Sequence, residues 1–411
     1  MQVLSKYLFL LLLPFLALIG CDVKNNKVDP AMGFTKIYDI DSAEANHVPV
    51  DISQLADEGF LFLGYNLQGD AANTMVVRTN KDGKLLWSKT FSQYLSPVSD
   101  LMKIGNDYYF VSSRALTFEI LLLKINDATQ TVDEVKALNE SKRPLAACST
   151  PDGGVLIQAY DYPNAQTVLL KLNSSFSLDN SFSLDGRAEF EISQLDLMDD
   201  RINNHITFQG TRLPFFVSYM GESSVSNYVF NGVNEYDIAL VAVNPTTGDP
   251  VGTIDGNRYK KCISSFTFLG NGKAALSKFE DVNNFLIPNF NTNDFSSGST
   301  INISDLPSLP KPEIVANSQI KSRLATLKGR KLIVYVTELK NNTVGFFAYD
   351  AATGGFAGAR YFGSTYPYKN GSFVTTTDGG MAVLCQTFVA GRFGRMCLFK
   401  LSKEQAEMFV N

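Results

Sequence analysis

The feature that most constrains the fold of this chain is a short turn that recurs along it. Asp152-Gly153-Gly154 and Asp378-Gly379-Gly380 each stand directly before an apolar run. Such a turn predicts a β-hairpin, because glycine adopts positive φ without a Cβ penalty and aspartate tolerates the same region. Weaker forms of the pattern recur, so that seven units follow one another, beginning near Ile52, Val98, Leu145, Ile192, Ile263, Lys321 and Ser372.

Each unit predicts about four strands, of which the third ends in a polar turn residue, as in Leu121–Asn126 and Val168–Asn173. One four-stranded sheet cannot bury both of its apolar faces, whereas sheets stacked around an axis cover each other. We therefore expect an all-β fold, a seven-bladed β-propeller of four-stranded antiparallel sheets, with six or eight blades as neighbouring solutions and a β-sandwich as the rival. Crowding at the axis explains a small residue before each turn: Ser53, Ser99, Ala146, Ser193, Ser264, Ser322 and Ser372.

The repeats predict one propeller domain over residues 33–411, with two long loops near 210–236 and 281–309. The segment Gly33–Tyr38 has the pattern of a fourth strand without a blade of its own. We expect it to complete the last blade and close the ring. The end segment Ala406–Val410 competes for that role.

The first twenty residues have the pattern of a signal peptide. Lys6 supplies a positive charge, and the apolar run Tyr7–Leu18 is too short for a spanning helix. The run ends in Leu18-Ile19-Gly20-Cys21, which resembles a bacterial lipobox, so Cys21 is the expected lipidation site and residues 21–32 a polar tether. An ordinary secretory signal is the alternative. Lipidation predicts a membrane-anchored protein of the bacterial cell envelope, with the outer membrane as the expected location.

Four further cysteines are Cys148, Cys262, Cys385 and Cys397, and no two form a C-x-x-C pair, which argues against a zinc or thioredoxin-type site. Cys385 and Cys397 flank a predicted hairpin and face each other across two strands in that interpretation. Two buried free thiols are the favoured reading, and a disulfide is the alternative.

The residues and motifs that the sequence lacks exclude several classes of function. Only two histidines, His47 and His205, are present, so a multi-histidine metal site cannot be built. We expect His205 to be a satisfied residue at the start of an apolar strand and His47 to lie on the surface. No catalytic motif is recognised and no cofactor is predicted. The net charge of −5 and the absence of long basic runs argue against nucleic acid as a partner.

Candidate binding residues follow from position, because propellers bind ligands at one mouth of the channel. Exposed aromatic side chains stack on sugar rings or anchor protein partners. The aromatic candidates come from the expected loop near 210–236 and from the turn Tyr160-Asp161-Tyr162, which is expected on the same side. They are Tyr160, Tyr162, Phe215, Phe216, Tyr219, Tyr228 and Tyr236. Arg323 and Asp100 are expected to line the channel. The alternative for the aromatic set is packing onto the propeller, and for the charged pair a satisfied polar lining.

The Asp-Gly-Gly hairpins, the Lys-x-Asn strand ends and the run Asn80–Trp87 resemble the quinoprotein-like and related propeller repeats of bacterial lipoproteins. The single Trp87 departs from the recurring tryptophan of that class, so cofactor binding is not carried over. A similar fold occurs in the propeller lipoprotein of the outer-membrane assembly machinery. From the lipobox, the repeats and the missing catalytic motifs together, we expect a monomeric, non-catalytic, membrane-anchored propeller that binds a protein or glycan at the envelope. A glycan-active hydrolase with acidic residues in the channel and an assembly scaffold are the alternatives.

Overall fold

A computed structural model describes residues 33–40, 44–68, 71–183, 185–193, 195–207, 212–222, 225–295, 298–363, 366–388 and 393–410. Strands in those residues form seven separate sheets of four strands, one of which has a fifth, and the sheets are the blades of a propeller. The predicted seven-bladed β-propeller is therefore confirmed. The signal peptide and Cys21 lie outside the described residues. Every helix among these residues is too short or too polar to span a lipid bilayer.

Strand β1 (Phe34–Tyr38) precedes the first blade. Neighbouring strands of a blade pair antiparallel and follow chain order from the innermost strand at the channel outward, except that β1 is the outermost strand of the last blade and one extra strand of the fourth blade pairs parallel. Blades 1 to 3 contain β2 (Asn46–Gln54), β3 (Phe60–Gln68), β4 (Ala71–Thr79), β5 (Leu85–Leu95); β6 (Met102–Ile104), β7 (Asp107–Ser113), β8 (Glu119–Asn126), β9 (Thr131–Lys142); and β10 (Pro144–Ser149), β11 (Val155–Asp161), β12 (Gln166–Leu172), β13 (Arg187–Glu191).

Helix α1 (Leu195–Ile206) separates blade 3 from blade 4. Blade 4 contains β14 (Phe216–Glu222), β15 (Val225–Asn234), β16 (Asp237–Val243) and β17 (Pro250–Asp255). Blade 5 contains β18 (Lys261–Gly270), β19 (Lys273–Glu280), β20 (Asn283–Asn291) and β22 (Leu309–Pro310). Strand β21 (Thr300–Asn302) lies between β20 and β22 in the chain. The short 3₁₀ segments Thr292–Phe295 and Ile303–Asp305 flank β21. Strand β21 crosses back to pair parallel with β17, and is the fifth strand of blade 4.

Blades 6 and 7 contain β23 (Lys321–Leu327), β24 (Arg330–Glu338), β25 (Val344–Asp350), β26 (Phe356–Phe362); and β27 (Tyr368–Thr375), β28 (Met381–Thr387), β29 (Arg395–Leu401), which is followed by helix α2 (Lys403–Glu407). Strand β1 pairs antiparallel with β29, from Phe34 opposite Lys400 to Tyr38 opposite Met396. The expected closure of the ring by the N-terminal strand is confirmed. The competing end segment Ala406–Val410 forms no strand: its first two residues end α2, whose N-terminus is capped by Ser402, and the rest follows the helix.

Three predictions for the middle of the chain are wrong in whole or in part. The fourth unit was expected at Ile192–Leu195, but α1 begins there, and the inner strands β14 and β15 of blade 4 occupy most of the region expected as a loop at 210–236. The loop expected at 281–309 is shorter, because β20 extends to Asn291. Asp199-Asp200 imitated a hairpin turn, whereas the true first hairpin of blade 4 carries no Asp-Gly-Gly signal.

The predicted register of small residues holds in part. Leu55, Thr150 and Thr376 have equivalent places, since the N–H of each donates across the turn to Gly59, Gly154 or Gly380. Four residues before them stand Asp51, Ala146 and Ser372. Ser53 was therefore the wrong choice for blade 1, where the residue against the channel is Asp51.

The core lies between blades. Leu61 and Val76 of blade 1 pack in one cluster with Phe110 and Leu121 of blade 2, and all four are almost fully buried. Burying each such side chain contributes about 1.5–3 kcal/mol, which an isolated blade could not recover on both faces. Stacking around the axis is what makes the repeat stable.

Buried cations hold the hairpin turns. Lys171 Nζ lies 2.6 Å from Asp152 Oδ2, and Lys400 Nζ lies 2.7 Å from Asp378 Oδ2. Each ammonium also donates to the carbonyl of the next residue, at 3.1 Å in blade 3 and 2.8 Å in blade 7. The aspartate of the Asp-Gly-Gly turn therefore forms an ion pair with the lysine near the end of the third strand of the same blade. In the sequence these two residues looked like separate signals.

Candidate functional site in the central channel

A charged cluster joins four blades across the channel. The Arg323 guanidinium on β23 donates to Asp51 Oδ1 at 2.6 Å and to Asp100 Oδ2 at 2.8 Å. It also donates to the Phe373 carbonyl of blade 7, at 2.6 Å. Lys321 Nζ, two residues earlier on the same face of β23, donates to Asp100. Arg323 and Asp100, which were predicted to line the channel, both contribute to the lining of its cavity.

The two carboxylates of the cluster differ in what they can still accept. Asp51 is buried and receives bonds from Arg323, from the Ser372 hydroxyl at 2.6 Å and from the Leu101 N–H at 2.9 Å. Its side chain is 2% exposed, whereas the Asp100 side chain is 47% exposed. Asp100 therefore presents an accessible acceptor to the channel, and Asp51 holds the cluster in place.

The positive neighbours decide the charge of Asp100. Burial alone would raise its pKa, but the charges and hydrogen bonds of Lys321 and Arg323 outweigh that effect and lower the pKa to about 2. The two carboxylates in turn raise the pKa of Arg323 against the opposing effect of burial. Asp100 and Arg323 are therefore both charged at neutral pH.

Beside this cluster the channel widens into a cavity of about 490 Å³. Its lining comes from the innermost strands and from the connections that lead into them, chiefly residues 96–103, 214–218 and 317–323. The lining contains no residue of the Asp-Gly-Gly turns at 150–154 and 376–380. The cavity therefore lies toward the face of the propeller where successive blades are connected, away from those turns.

One wall of the cavity is aromatic. Phe215 and Phe216 enter it from the start of blade 4, and Phe266 and Phe279 from blade 5. In a ring of seven blades the position opposite blade 1 lies between blades 4 and 5, so these rings stand across the channel from Asp51. Serine hydroxyls fill much of the remaining lining: Ser96, Ser99, Ser149, Ser218, Ser264, Ser265, Ser318 and Ser322.

The end of α1 and the segment after it bring two further residues, His205 and Arg212, to the cavity. His205, at the end of the helix, accepts a hydrogen bond at Nδ1 from the Leu213 N–H at 2.9 Å and packs edge-on against Phe215. Burial, and secondarily the charge of Arg212, lower the pKa of His205 well below its usual value, so the ring is neutral at neutral pH. Arg212 donates to the His205 carbonyl at 3.1 Å, and Tyr65 of blade 1 lines the same cavity.

Sequence reasoning missed Arg212 and Tyr65, and it placed His205 on a strand. The histidine is buried and hydrogen-bonded as expected, but on a helix. His47 was expected on the surface and is instead buried on β2. A helix predicted at Leu195–Ile206 would have shown that blade 4 begins after it. Arg212 and Phe215 would then have been placed just before the inner strand of that blade.

The aromatic candidates fall into separate groups. Phe215 and Phe216 line the cavity, as parts of an inner strand and its lead-in rather than of a loop. Tyr228 is buried in the core and Tyr219 packs against it, with ring centroids 5.9 Å apart. Tyr236 is about half exposed in the turn between β15 and β16, outside the cavity.

The two remaining candidates, Tyr160 and Tyr162, are neighbours in blade 3, with ring centroids 6.2 Å apart, but they differ in exposure. Tyr160 is buried and its hydroxyl donates to Asp199 of α1 at 2.9 Å, so it anchors the helix to the blade. Tyr162 is 47% exposed, with the Arg143 guanidinium 4.6 Å from its ring centroid. It lies in the turn between β11 and β12, outside the cavity.

Cys385 and Cys397 face each other in the register of β28 and β29, as predicted. Both are free and buried, in accordance with the favoured interpretation. Burial raises the pKa of both thiols, that of Cys397 to about 12. Within the described part of the chain no three histidine, cysteine or acidic side chains come together as a metal site.

Fold and channel together define the class: a seven-bladed β-propeller with a ligand-sized cavity in its central channel. No protein-family model and no curated protein matches the chain. Among solved structures it is similar to a catalytically inactive virginiamycin B lyase from Staphylococcus aureus with Quinupristin, at 10% identity and a TM-score of 0.49, over 90% of this chain and 100% of that one.

Two further solved structures have comparable similarity. The β-propeller domain of the Trilobed protease from Pyrococcus furiosus, described as having an open velcro topology, has 8% identity and a TM-score of 0.48, covering 86% of this chain and 93% of that one. Hydrazine synthase of Kuenenia stuttgartiensis has 9% identity and a TM-score of 0.49, covering 85% and 94%. Similarities this distant carry no functional argument, and the fold is assigned from the strand pairing itself.

Proposed function

We propose that this protein is a lipid-anchored binding propeller of the bacterial cell envelope, and that its channel cavity holds part of a glycan. The proposal rests on one observation: two walls of the cavity with different chemistry face each other. Aromatic rings of blades 4 and 5 face the hydrogen-bonding cluster of Asp100, Lys321 and Arg323. A sugar ring has an apolar face that stacks on aromatic rings and a periphery of hydroxyls that donate to carboxylates and accept from cations.

The size of the cavity suits such a ligand. A volume of about 490 Å³ lies within the range of roughly 300–1,000 Å³ that small-molecule sites occupy in proteins. The hydroxyl-rich lining supplies donors and acceptors that can rotate to fit different ring substituents. These features favour recognition of a short glycan segment over a flat protein surface.

The electrostatics of the channel favour binding over hydrolysis. Glycoside hydrolysis needs a protonated carboxylic acid beside the scissile bond, with its pKa raised toward neutrality. Asp100 is the one carboxylate among the described lining residues, and its pKa is lowered to about 2. It can accept hydroxyl hydrogen bonds, but it cannot deliver a proton at neutral pH.

The anchor is proposed from the sequence. The signal peptide and the Leu-Ile-Gly-Cys21 lipobox predict a diacylated cysteine and placement at the outer membrane. Metabolic labelling with an alkyne analogue of palmitate checks this. Label should enter the wild-type protein and be lost from Cys21→Ser, whereas labelling of Cys21→Ser would refute lipidation at that residue.

A glycan array probed with the full-length protein in detergent tests the binding function, followed by titration calorimetry with the best ligand. Phe216→Ala should weaken binding about tenfold, since aromatic contacts contribute on the order of 1 kcal/mol or more. Tyr236→Ala is the matched control, because that aromatic side chain lies outside the cavity, and it should bind like the wild type. Absence of any glycan ligand would refute the proposal.

A protein partner is the second candidate, and one observation favours it. In four consecutive blades the turn between the second and third strands exposes an apolar or aromatic side chain: Leu116, Tyr162, Tyr236 and Val282. Leu116 is 95% exposed and has a φ of 77°, a strained conformation for leucine. A photo-crosslinking residue at Tyr162 should then capture one envelope protein, while the same residue at Phe356 on the outer wall should not.

A further inference from the structure

Strand β1 begins at the face of the propeller opposite the cavity. Its first residue, Phe34, pairs with Lys400 near the end of β29, and Lys400 forms the ion pair with Asp378 in the last Asp-Gly-Gly turn. The start of β1 therefore lies on the hairpin-turn face, which is the face that carries the Asp-Gly-Gly turns. The chain enters the propeller at this face, away from the cavity.

The distance between Cys21 and β1 decides which face can approach a membrane. The twelve residues 21–32 span at most about 40 Å when fully extended. An inner strand such as β2 has nine residues and spans roughly 30 Å from one face of the ring to the other. To bring the cavity face to the lipid, the tether would have to pass the full height of the ring almost fully stretched, at a large cost in conformational entropy. A lipid on Cys21 therefore favours the hairpin-turn face as the side toward the membrane.

One edge of the hairpin-turn face carries exposed apolar side chains beside β1. The turn at residues 80–84 lies against that strand, because a Cβ at Gly83 would stand 2.6 Å from the Cε2 atom of the Phe34 ring. Leu85 and Leu86 follow the turn, and both side chains are exposed. Leucines in such a place lose nothing on folding, but they gain free energy when they enter the boundary between lipid headgroups and acyl chains.

Lysines surround the two leucines. Lys81 and Lys84 in the turn are exposed, and Lys36 on β1 lies over the Phe34 ring, with Nζ 5.6 Å from the ring centroid. None of these three lysines forms an ion pair within the described part of the chain, and Asp82 is the one carboxylate of the turn. The edge patch, as we call this surface, therefore carries an excess of positive charge. It consists of Lys36, Lys81, Lys84, Leu85 and Leu86.

We propose that the edge patch lies on anionic phospholipid headgroups, so that the cavity opens away from the membrane. The proposal rests on the lipid anchor of the proposed function and adds the orientation of the anchored protein. The acyl chains on Cys21 supply the affinity, while the leucines enter the headgroup region and the lysines are attracted to the anionic surface. The glycan then reaches the cavity from the aqueous side.

Fluorescence quenching by spin-labelled lipid tests this orientation. The lipidated protein is inserted into preformed vesicles of phosphatidylcholine with about 30% phosphatidylglycerol, and an NBD label is attached at Leu86→Cys or at Leu116→Cys. Leu116 is the matched control, because it is also an exposed leucine but its turn joins the second and third strands of blade 2. Successive strands alternate in direction, so that turn lies on the cavity face. We expect quenching about threefold stronger at position 86 than at position 116.

Two pairs of substitutions test the charges of the edge patch. Lys81→Gln combined with Lys84→Gln should lower the quenching at position 86 to the level seen in vesicles of phosphatidylcholine alone. Lys260→Gln combined with Lys340→Gln removes two exposed lysines from the cavity face and should leave the quenching unchanged. Equal quenching in both double variants would overturn the role of the lysines.

The outcomes separate this proposal from the lipid anchor. Protein that floats with the vesicles but shows no quenching at position 86 would overturn the membrane-facing patch and leave the anchor intact. Stronger quenching at position 116 than at position 86 would overturn the orientation. Protein that does not float and carries no lipid on Cys21 would overturn the anchor and this proposal together, and would leave the proposed glycan binding intact. If Leu86→Cys fails to fold, Lys81→Cys places the label in the neighbouring turn, with the same expected result.

Discussion

Arg323 on blade 6 donates to Asp51 on blade 1 at 2.6 Å, although 272 residues separate them in the sequence. The same guanidinium reaches Asp100 and the Phe373 carbonyl. One side chain therefore ties blades 6 and 7 to the first two blades at the channel, whereas β1 closes the ring at the outer edge of blade 7. The charges that present hydrogen-bonding groups to the cavity also hold the ring together.

Arg323→Ala should destabilise the protein by about 3 kcal/mol, because it leaves the buried Asp51 carboxylate without its cation. Urea unfolding followed by circular dichroism measures the change. Lys124→Ala is the control, since its pair with Asp107 is partly exposed and screened by solvent, so a clearly smaller loss is expected. Equal losses in the two variants would show that the channel cluster has no special role in stability.

The ring closure depends on Tyr38. This residue of β1 is buried against Phe62 of blade 1, with ring centroids 5.4 Å apart, and its hydroxyl donates to the Gly83 carbonyl at 2.8 Å. Tyr38→Ala should cost about 3–5 kcal/mol, as large core truncations do. Ile37→Ala on the same strand is the control: its side chain is 41% exposed, so a loss below about 1 kcal/mol is expected. A Tyr38→Ala protein as stable as the control would contradict the pairing of β1 with the last blade.

Asp100 should make stability depend on acid. Its folded pKa of about 2 is below the ordinary value of 3.8, so its stabilising contribution is complete above pH 4 and disappears as the pH falls toward 2. Because half of the side chain is exposed, the contribution should not exceed about 1 kcal/mol. The free energies of unfolding of wild type and Asp100→Asn should differ at pH 6 and converge near pH 2. A difference that is the same at every pH would count against this assignment.

The four described cysteines should resist thiol reagents in the native protein. Cys385 and Cys397 are buried with raised pKa values, and burial raises the pKa of Cys148 to about 12. Thiolate, the reactive form, is therefore scarce at pH 8. Ellman's reagent should react slowly until denaturant is added, whereas an added cysteine at the exposed position, Leu116→Cys, should react at once. A Cys385–Cys397 disulfide found by mass spectrometry would contradict the free-thiol state.

Much of the fold could be predicted from the hairpin turns because each blade repeats one local signal. Asp152-Gly153-Gly154 and Asp378-Gly379-Gly380 mark their blades, and Arg323 and Asp100 followed from the same repeat. Blade 4 was missed because its first hairpin carries no such turn, while Asp199-Asp200 within α1 imitated one. Arg212 and Tyr65 meet in the cavity from positions far apart in the chain, and only the closed ring brings them together.

The most direct test of the central claim is a crystal structure of the protein with the tightest-binding glycan from the array. We predict a sugar ring within about 4 Å of Phe216 and a ligand hydroxyl within about 3.2 Å of Asp100 or Lys321. A ligand found on the outer wall or on the hairpin-turn face, with the channel cavity empty of sugar, would contradict the claim.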